Sequence, residues 1–207
     1  RAQALLPDVP LMPVADVVAG ADLVLLTVPD DVLPELVTGL ADTGVIRAGQ
    51  FLAHTSGRFG FGVLDVATRV GALPLALHPV MTFTGTTIDL ARLDGVPFGV
   101  TAPDALRPVV EALVVEMGGE PIWVEEGNRT LYHAALAHGS NHLMTLVGQT
   151  RELLAMAGVQ EPVRLVAPLL TASLDNALRY GDQVLTGPVA RGDARTVAAH
   201  LEALRVD

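Results

Sequence analysis

The sequence predicts an α/β protein whose first part is a mostly parallel sheet and whose second part is all helix. Three observations carry this. Up to Val124, short apolar runs closed by Thr, His, Gly or Pro alternate with segments of helical character, the order expected when strands are joined by crossover helices. Beyond Glu125-Glu126-Gly127 every segment reads as helix. The longest of these, Asn128 to Ala157, is mostly apolar and about 45 Å long at 1.5 Å per residue. That is too long for one small domain to cover on every side.

Taken in order, Pro13 to Gly20 reads as a short helix ending at Gly20. Residues 21–30, ADLVLLTVPD, hold the first strand, and their continuous apolar run is that of a strand buried on both faces. Asp30 or Asp31 is placed to cap a helix that runs to about Leu40. Phe51 to Thr55 is a second strand, and an irregular stretch with Gly57, Gly60 and Gly62 extends to Val70. Leu73 to His78 is a third strand, Val96 to Thr101 a fourth, Asp104 to Met117 a helix, and Pro121 to Val124 a fifth strand. In the second part Asn128 suits the N-cap of the long helix, and Gly158 suits a left-handed residue at its end. Glu161 to Tyr180 is a further helix that Pro168 should kink. Leu185 to Asp193 is a loop whose Asp193 caps the last helix, Ala194 to Leu204.

Composition narrows the function classes. Half of the residues are hydrophobic and 4% aromatic, so the core is aliphatic and Ala-rich. A net charge of −10 argues against nucleic acid and against an anionic membrane surface, both of which need clustered Lys and Arg. The absence of Cys excludes disulfides, thiolate metal sites and thiol nucleophiles. Mean hydropathy is high at +0.45, yet the best charge-free run, Leu131 to Thr150, contains His, Asn, Ser and Gln, which suit burial in protein rather than lipid. No signal peptide is visible, and a cytoplasmic location is expected. The chain begins at Arg1 rather than Met.

In parallel sheets, ligands bind beyond the carboxyl ends of the strands. Thr27-Val28-Pro29-Asp30, His54-Thr55-Ser56-Gly57 and His78-Pro79 all close predicted strands. Each alone is an ordinary strand terminator; the three together mark a ligand edge. The long helix offers a second wall, since His133, Ser140 and Asn141 are seven and eight residues apart and share one side, with Ala137 leaving space. His138 and His142 have i,i+4 spacing, but no helical acid completes a set, and no metal is assigned. The Gly57-Arg58-Phe59-Gly60-Phe61-Gly62 loop has reversed glycine spacing and comes after a late strand, so it is not read as a phosphate loop.

Strand-VPDD, then HTSG, HP, YHAALAHGSNHL and TGPVARGD followed by TVAAHL together resemble the Rossmann-like proteins that carry the C-terminal domain known as DUF2520. These are similar in architecture to ketopantoate reductases, pyrroline-5-carboxylate reductases and F420-dependent NADP oxidoreductases. The resemblance runs from about Leu23 to the C-terminus, and YHAALAHGSN and TGPVARGD are its most specific pieces. It implies a Rossmann-like NAD(P)-binding domain over residues 1–126, without the first β-α-β and its Gly loop. It implies a helical domain of the 6-phosphogluconate-dehydrogenase C-terminal type over 127–207, which binds substrate and pairs two subunits into a homodimer. It places Thr27, Val28 and Pro29 beside the cofactor and His54, Thr55 and Ser56 near the nicotinamide. His133 falls in the slot where reductases of the ketopantoate type carry a Lys, and Asn141 is kept two turns later. The activity so implied is hydride exchange between NADP, or NAD, and a small ketopantoate-like 2-oxo acid or cyclic imine. The alternative is a catalytically inactive dinucleotide-binding protein that reports cofactor state to a partner.

Hydride transfer to C=O or C=N calls for a donor or acid at the heteroatom. His133 is the first candidate, with Ser140 and Asn141 as orienting donors; a core histidine bonded to a carbonyl is the plainer reading. His78 is expected to line the cleft. Arg191, in a Gly-flanked loop, can hold a substrate carboxylate with two parallel N–H groups, or else pair with Asp193. Leu143, Leu146, Val147, Leu153, Leu154 and Met156 supply more apolar surface than one helical domain needs, and a second subunit is expected there.

Overall fold

The computed structural model describes Gln3 and residues 6–205, which pack as two units divided between Gly139 and Ser140. The first is built on a five-stranded sheet, β1 (Leu23–Leu26), β2 (Phe51–His54), β3 (Leu73–Pro79), β4 (Pro97–Thr101) and β5 (Glu120–Trp123), side by side in that order. β1, β2 and β3 are parallel, β4 is antiparallel to β3, and β5 is parallel to β4. The mostly parallel sheet expected from sequence is therefore present, with one reversal. Its cause lies in the linker between β3 and β4, which closes on itself instead of crossing the sheet. The Asp89 carboxylate, in the short helix α4 (Ile88–Arg92), accepts from the Thr84 and Gly85 amides at 2.8 and 2.7 Å and from the Thr84 hydroxyl.

Side chains alternate across the strands, so the sheet has two separate cores. On the first face Val24, Leu26 and Leu52 meet Val18 of α1 (Val14–Gly20), Leu33 and Val37 of α2 (Leu33–Asp42), and Leu64 and Ala67 of a 3-10 turn and α3 (Asp65–Thr68). On the second face Ala53, Leu75, Leu77 and Val100 lie under Val110 and Val114 of α5 (Arg107–Glu116). β1 corrects an expectation: Leu23 and Leu25 point to the second face and are 39% and 49% exposed, because α5 covers that face only beyond β1. α2 is entered differently too. The Pro29 carbonyl accepts from the Val32 and Leu33 amides and Pro34 sits in the first turn, so no aspartate caps it.

The long helix α6 (Arg129–Met156) is also entered without the cap expected at Asn128; a 3-10 turn, Glu126–Asn128, feeds it directly. Gly158, at φ 83°, ends it in the left-handed region as expected. α7 (Pro162–Tyr180) runs through Pro168 as one helix, and the Asp193 carboxylate caps α8 (Ala194–Ala203) by accepting from the Thr196 amide at 3.1 Å. The division at Gly139 lies beyond the boundary expected at residue 126, because the first turns of α6 are seated on the sheet. Among the described residues of the second unit Val166 is the buried hydrophobic, while Leu146, Leu165 and Leu169 are more than half exposed. Among the described residues no helix is long and apolar enough to cross a membrane.

Candidate functional site

Arg129, the first residue of α6, is 1% exposed and holds the strand ends together. Its Nε donates to the Phe59 carbonyl at 2.9 Å, one terminal nitrogen to the Ser56 carbonyl at 2.6 Å, and the other to the Gly99 carbonyl at 3.0 Å and the Thr101 hydroxyl at 3.5 Å. One guanidinium thus ties the loop after β2, strand β4 and helix α6 to one another, using a fixed fork of donors that Lys does not have. Glu126 reinforces the joint from outside, accepting from the Phe61 and Gly62 amides at 2.9 Å each.

One turn along, Tyr132 meets His78. The Tyr132 hydroxyl and His78 Nδ1 share a 2.8 Å hydrogen bond, and their rings stand edge to face. His133 packs its ring on the His78 ring at 5.9 Å between centroids. Two glycines make this approach possible. A Cβ on Gly57 would stand 2.6 Å from His133 Cδ2 and 2.9 Å from His78 Nε2; a Cβ on Gly99, the residue paired with His78 across β3 and β4, would collide with the Tyr132 hydroxyl. The Arg129 guanidinium carbon lies 5.3 Å from the Tyr132 ring centre.

The electrostatics come from burial around a fixed cation. His54, fully buried, is held at about 4 by desolvation and by Arg129, with the Gly60 hydrogen bond and Asp30 opposing. His78 is also held at about 4, by desolvation, Arg129, His133 and His54, with Asp30 opposing. Both imidazoles are uncharged near neutral pH. Burial raises the Tyr132 phenol, Arg129 pulling the other way, and burial lowers Arg129 itself. The site therefore combines one buried cation, neutral rings and a neutral phenol.

The structure brings together His54, Ser56, His78 and His133, among the residues singled out from sequence. Two of them face inward. His54 Nε2 lies 2.9 Å from the Gly60 carbonyl, and its Nδ1 accepts from the Ser56 amide. The Ser56 hydroxyl accepts from the Arg58 and Phe59 amides. Thr27 and Pro29 are exposed at the end of β1, with Val28 and Thr55 half-buried beside them. Ser140, Asn141 and Arg191 belong to the second unit, where Asn141 and Arg191 are exposed. Asp193 is committed to Thr196. Sequence reasoning missed Arg129, Tyr132 and Glu126. The signal was present: Arg129, Tyr132 and His133 have the i, i+3, i+4 spacing of one helix face.

A mostly parallel sheet with polar groups gathered at strand ends is the Rossmann-like class, and residues 1–79 match a family described as a Rossmann-like domain. Residues 96–207 match the domain of unknown function DUF2520, and the chain belongs to that family. A glycerol-3-phosphate dehydrogenase [NAD(P)+] from Rhodopseudomonas palustris (strain BisA53) is 30% identical over 179 residues, covering 81% of this chain. The chain spans about half the length, 49%, of that curated relative. Among solved structures, a Streptomyces aurantiacus imine reductase has a TM-score of 0.66 at 16% identity, over 93% of this chain and 66% of its own. The Plasmodium falciparum pyrroline carboxylate reductase, solved with NADP bound, has a TM-score of 0.62 at 11% identity, over 94% and 76%. At these identities the likeness is one of fold.

Proposed function

We propose that the protein carrying this chain is an oxidoreductase dependent on NADP, or on NAD, that exchanges a hydride with a small ketopantoate-like 2-oxo acid or cyclic imine. The observation that carries the reading is the meeting of His78, Tyr132 and His133 over buried Arg129 at the strand ends. The similar proteins act in the same sense, as a dehydrogenase and as reductases of imine and pyrroline compounds. The cofactor, when bound, supplies or takes the hydride. Thr27, Val28, Pro29 and Thr55 offer it a rim of hydroxyl and apolar groups, with His54 and Ser56 shaping the loop from behind. The chain contains no lysine, so the heteroatom's donor is sought among its imidazoles. His133 is the proposed acid, Ser140 and Asn141 are donors further along the same helix, and Arg191 is the candidate for a substrate carboxylate. A second copy of the chain is proposed to cover the apolar faces of the second unit.

The test is NADPH and NADH oxidation by the full-length protein against a panel of 2-oxo acids and cyclic imines. Turnover with neither class would overturn the reading. The missing lysine favours one rival, a dinucleotide-binding protein without catalysis. Tight cofactor binding by calorimetry with no turnover would select it. Should Arg191 hold a carboxylate, Arg191→Lys keeps the charge and loses the fork, raising KM more than it lowers kcat. An unchanged KM would assign Arg191 to structure.

A further inference from the structure

We propose that Tyr132 and Arg129 are positioning residues that act through His78: Tyr132 gives its hydroxyl hydrogen to His78 Nδ1, so that the ring presents an Nε2–H donor at Gly57 to the carbonyl or imine of a bound ligand. The ligand class rests on the oxidoreductase reading; the state of the ring does not. Three observations support the assignment. A phenol is a far stronger acid than a neutral imidazole N–H, so in a 2.8 Å pair between them the phenol donates. The guanidinium 5.3 Å from the phenol ring sharpens this, because a nearby cation makes the hydroxyl a better donor. The missing Cβ of Gly57 leaves the Nε2 edge of His78 against the strand-end loop, with that nitrogen 2.9 Å from where the Cβ would be.

The ring is kept uncharged by its surroundings. Arg129, His133 and Tyr132 face it from α6, His54 from β2 and Asp30 from the turn after β1; burial and the cation outweigh Asp30, and His78 is lowered to about 4. A neutral imidazole polarises a carbonyl through a hydrogen bond and does not have to lose a proton to do so. Tyr132 therefore fixes which nitrogen carries hydrogen, and burial together with Arg129 keeps the other from gaining one.

Nitrogen-15 NMR of the full-length protein tests this, with the His78 signals assigned by loss in His78→Gln. The expected spectrum has hydrogen on Nε2 and a bare Nδ1, unchanged from about pH 8 to about pH 5. In Tyr132→Phe, checked for folding by circular dichroism, the ring should become a mixture of tautomers, and turnover should fall about tenfold, the equivalent of one lost hydrogen bond. In Arg129→Gln, which removes the cation, the His78 titration should move up towards neutrality; Arg129→Lys, which keeps it, should leave the titration low. Hydrogen on Nδ1 in the unaltered protein, or a tautomer indifferent to Tyr132→Phe, would overturn the proposal. Titration of His78 near its ordinary value with Arg129 in place would overturn it as well. The expected ring state in a protein that turns over no carbonyl or imine would instead sink the oxidoreductase reading and leave the tautomer assignment standing.

Discussion

His54 shows what a single buried side chain can do when all its polar atoms look inward. With Nε2 on the Gly60 carbonyl and Nδ1 accepting from the Ser56 amide, it can carry one hydrogen and no more. Its folded value of about 4 lies below the unfolded 6.5, so between these the unfolded chain binds a proton that the native state refuses. Stability is thus complete above about pH 6.5 and falls as the pH drops through about 4, by about 3 kcal/mol from this residue. Urea unfolding across that window should show the decline. His54→Gln, which keeps a donor for the Gly60 carbonyl, should flatten it, leaving the part due to His78. His54, Ser56 and His78 were singled out from sequence because their chemistry announces itself at a strand end, and His133 because it shares one side of a helix with other polar groups. Arg129 and Tyr132 were not, because an arginine at a helix start reads as a solvated charge until the carbonyls that surround it are known.

At the scale of elements, the sheet was legible because short apolar runs leave few alternatives to a strand. The reversal at β4 was not, since apolar periodicity registers neither the direction of a strand nor side-chain contacts to backbone such as those of Asp89 in the linker before it. Helix entries were misread for a similar reason. Asp30, Asp31 and Asn128 are good caps by type, but turns at Pro29 and Glu126 reach the helices first. The joint between the strand-end loop and α6 makes its own prediction. Removing the Glu126 carboxylate with Glu126→Ala should cost about 1 kcal/mol and speed hydrogen exchange at the Phe61 and Gly62 amides. Exchange left unchanged at both amides would mean the clasp does not form in solution.

At the scale of the molecule, the two units differ in how well they bury themselves. The sheet unit has two closed cores, while the second leaves Leu165, Leu169 and Leu178 at 59%, 65% and 79% exposure. An all-helical unit so open gains little from its own packing, and the proposed apolar interface with a second copy would supply the deficit. The full-length protein is expected to sediment as a dimer at micromolar concentration, and Leu165→Asp with Leu169→Asp to break it. A clean monomer before substitution would remove this expectation. The apolar excess was visible in sequence, as a long helix with too many leucines, but a chain read alone does not say which of its faces another chain will take.

The entry to α6 has a consequence for any insertion or deletion nearby. A helix advances about 100° per residue. Arg129 fixes the rotational phase of the first turns of α6 by four hydrogen bonds. One residue added between Arg129 and Tyr132 leaves Arg129 seated and turns Tyr132 and His133 away from His78 by about a quarter of a revolution. Seven residues, close to two whole turns, would restore the angle and shift Tyr132 and His133 by about 10 Å along the axis. Length changes at this point therefore act on Tyr132 and His133 as a rotation or as a translation, according to the number of residues, and the two can be separated by making both.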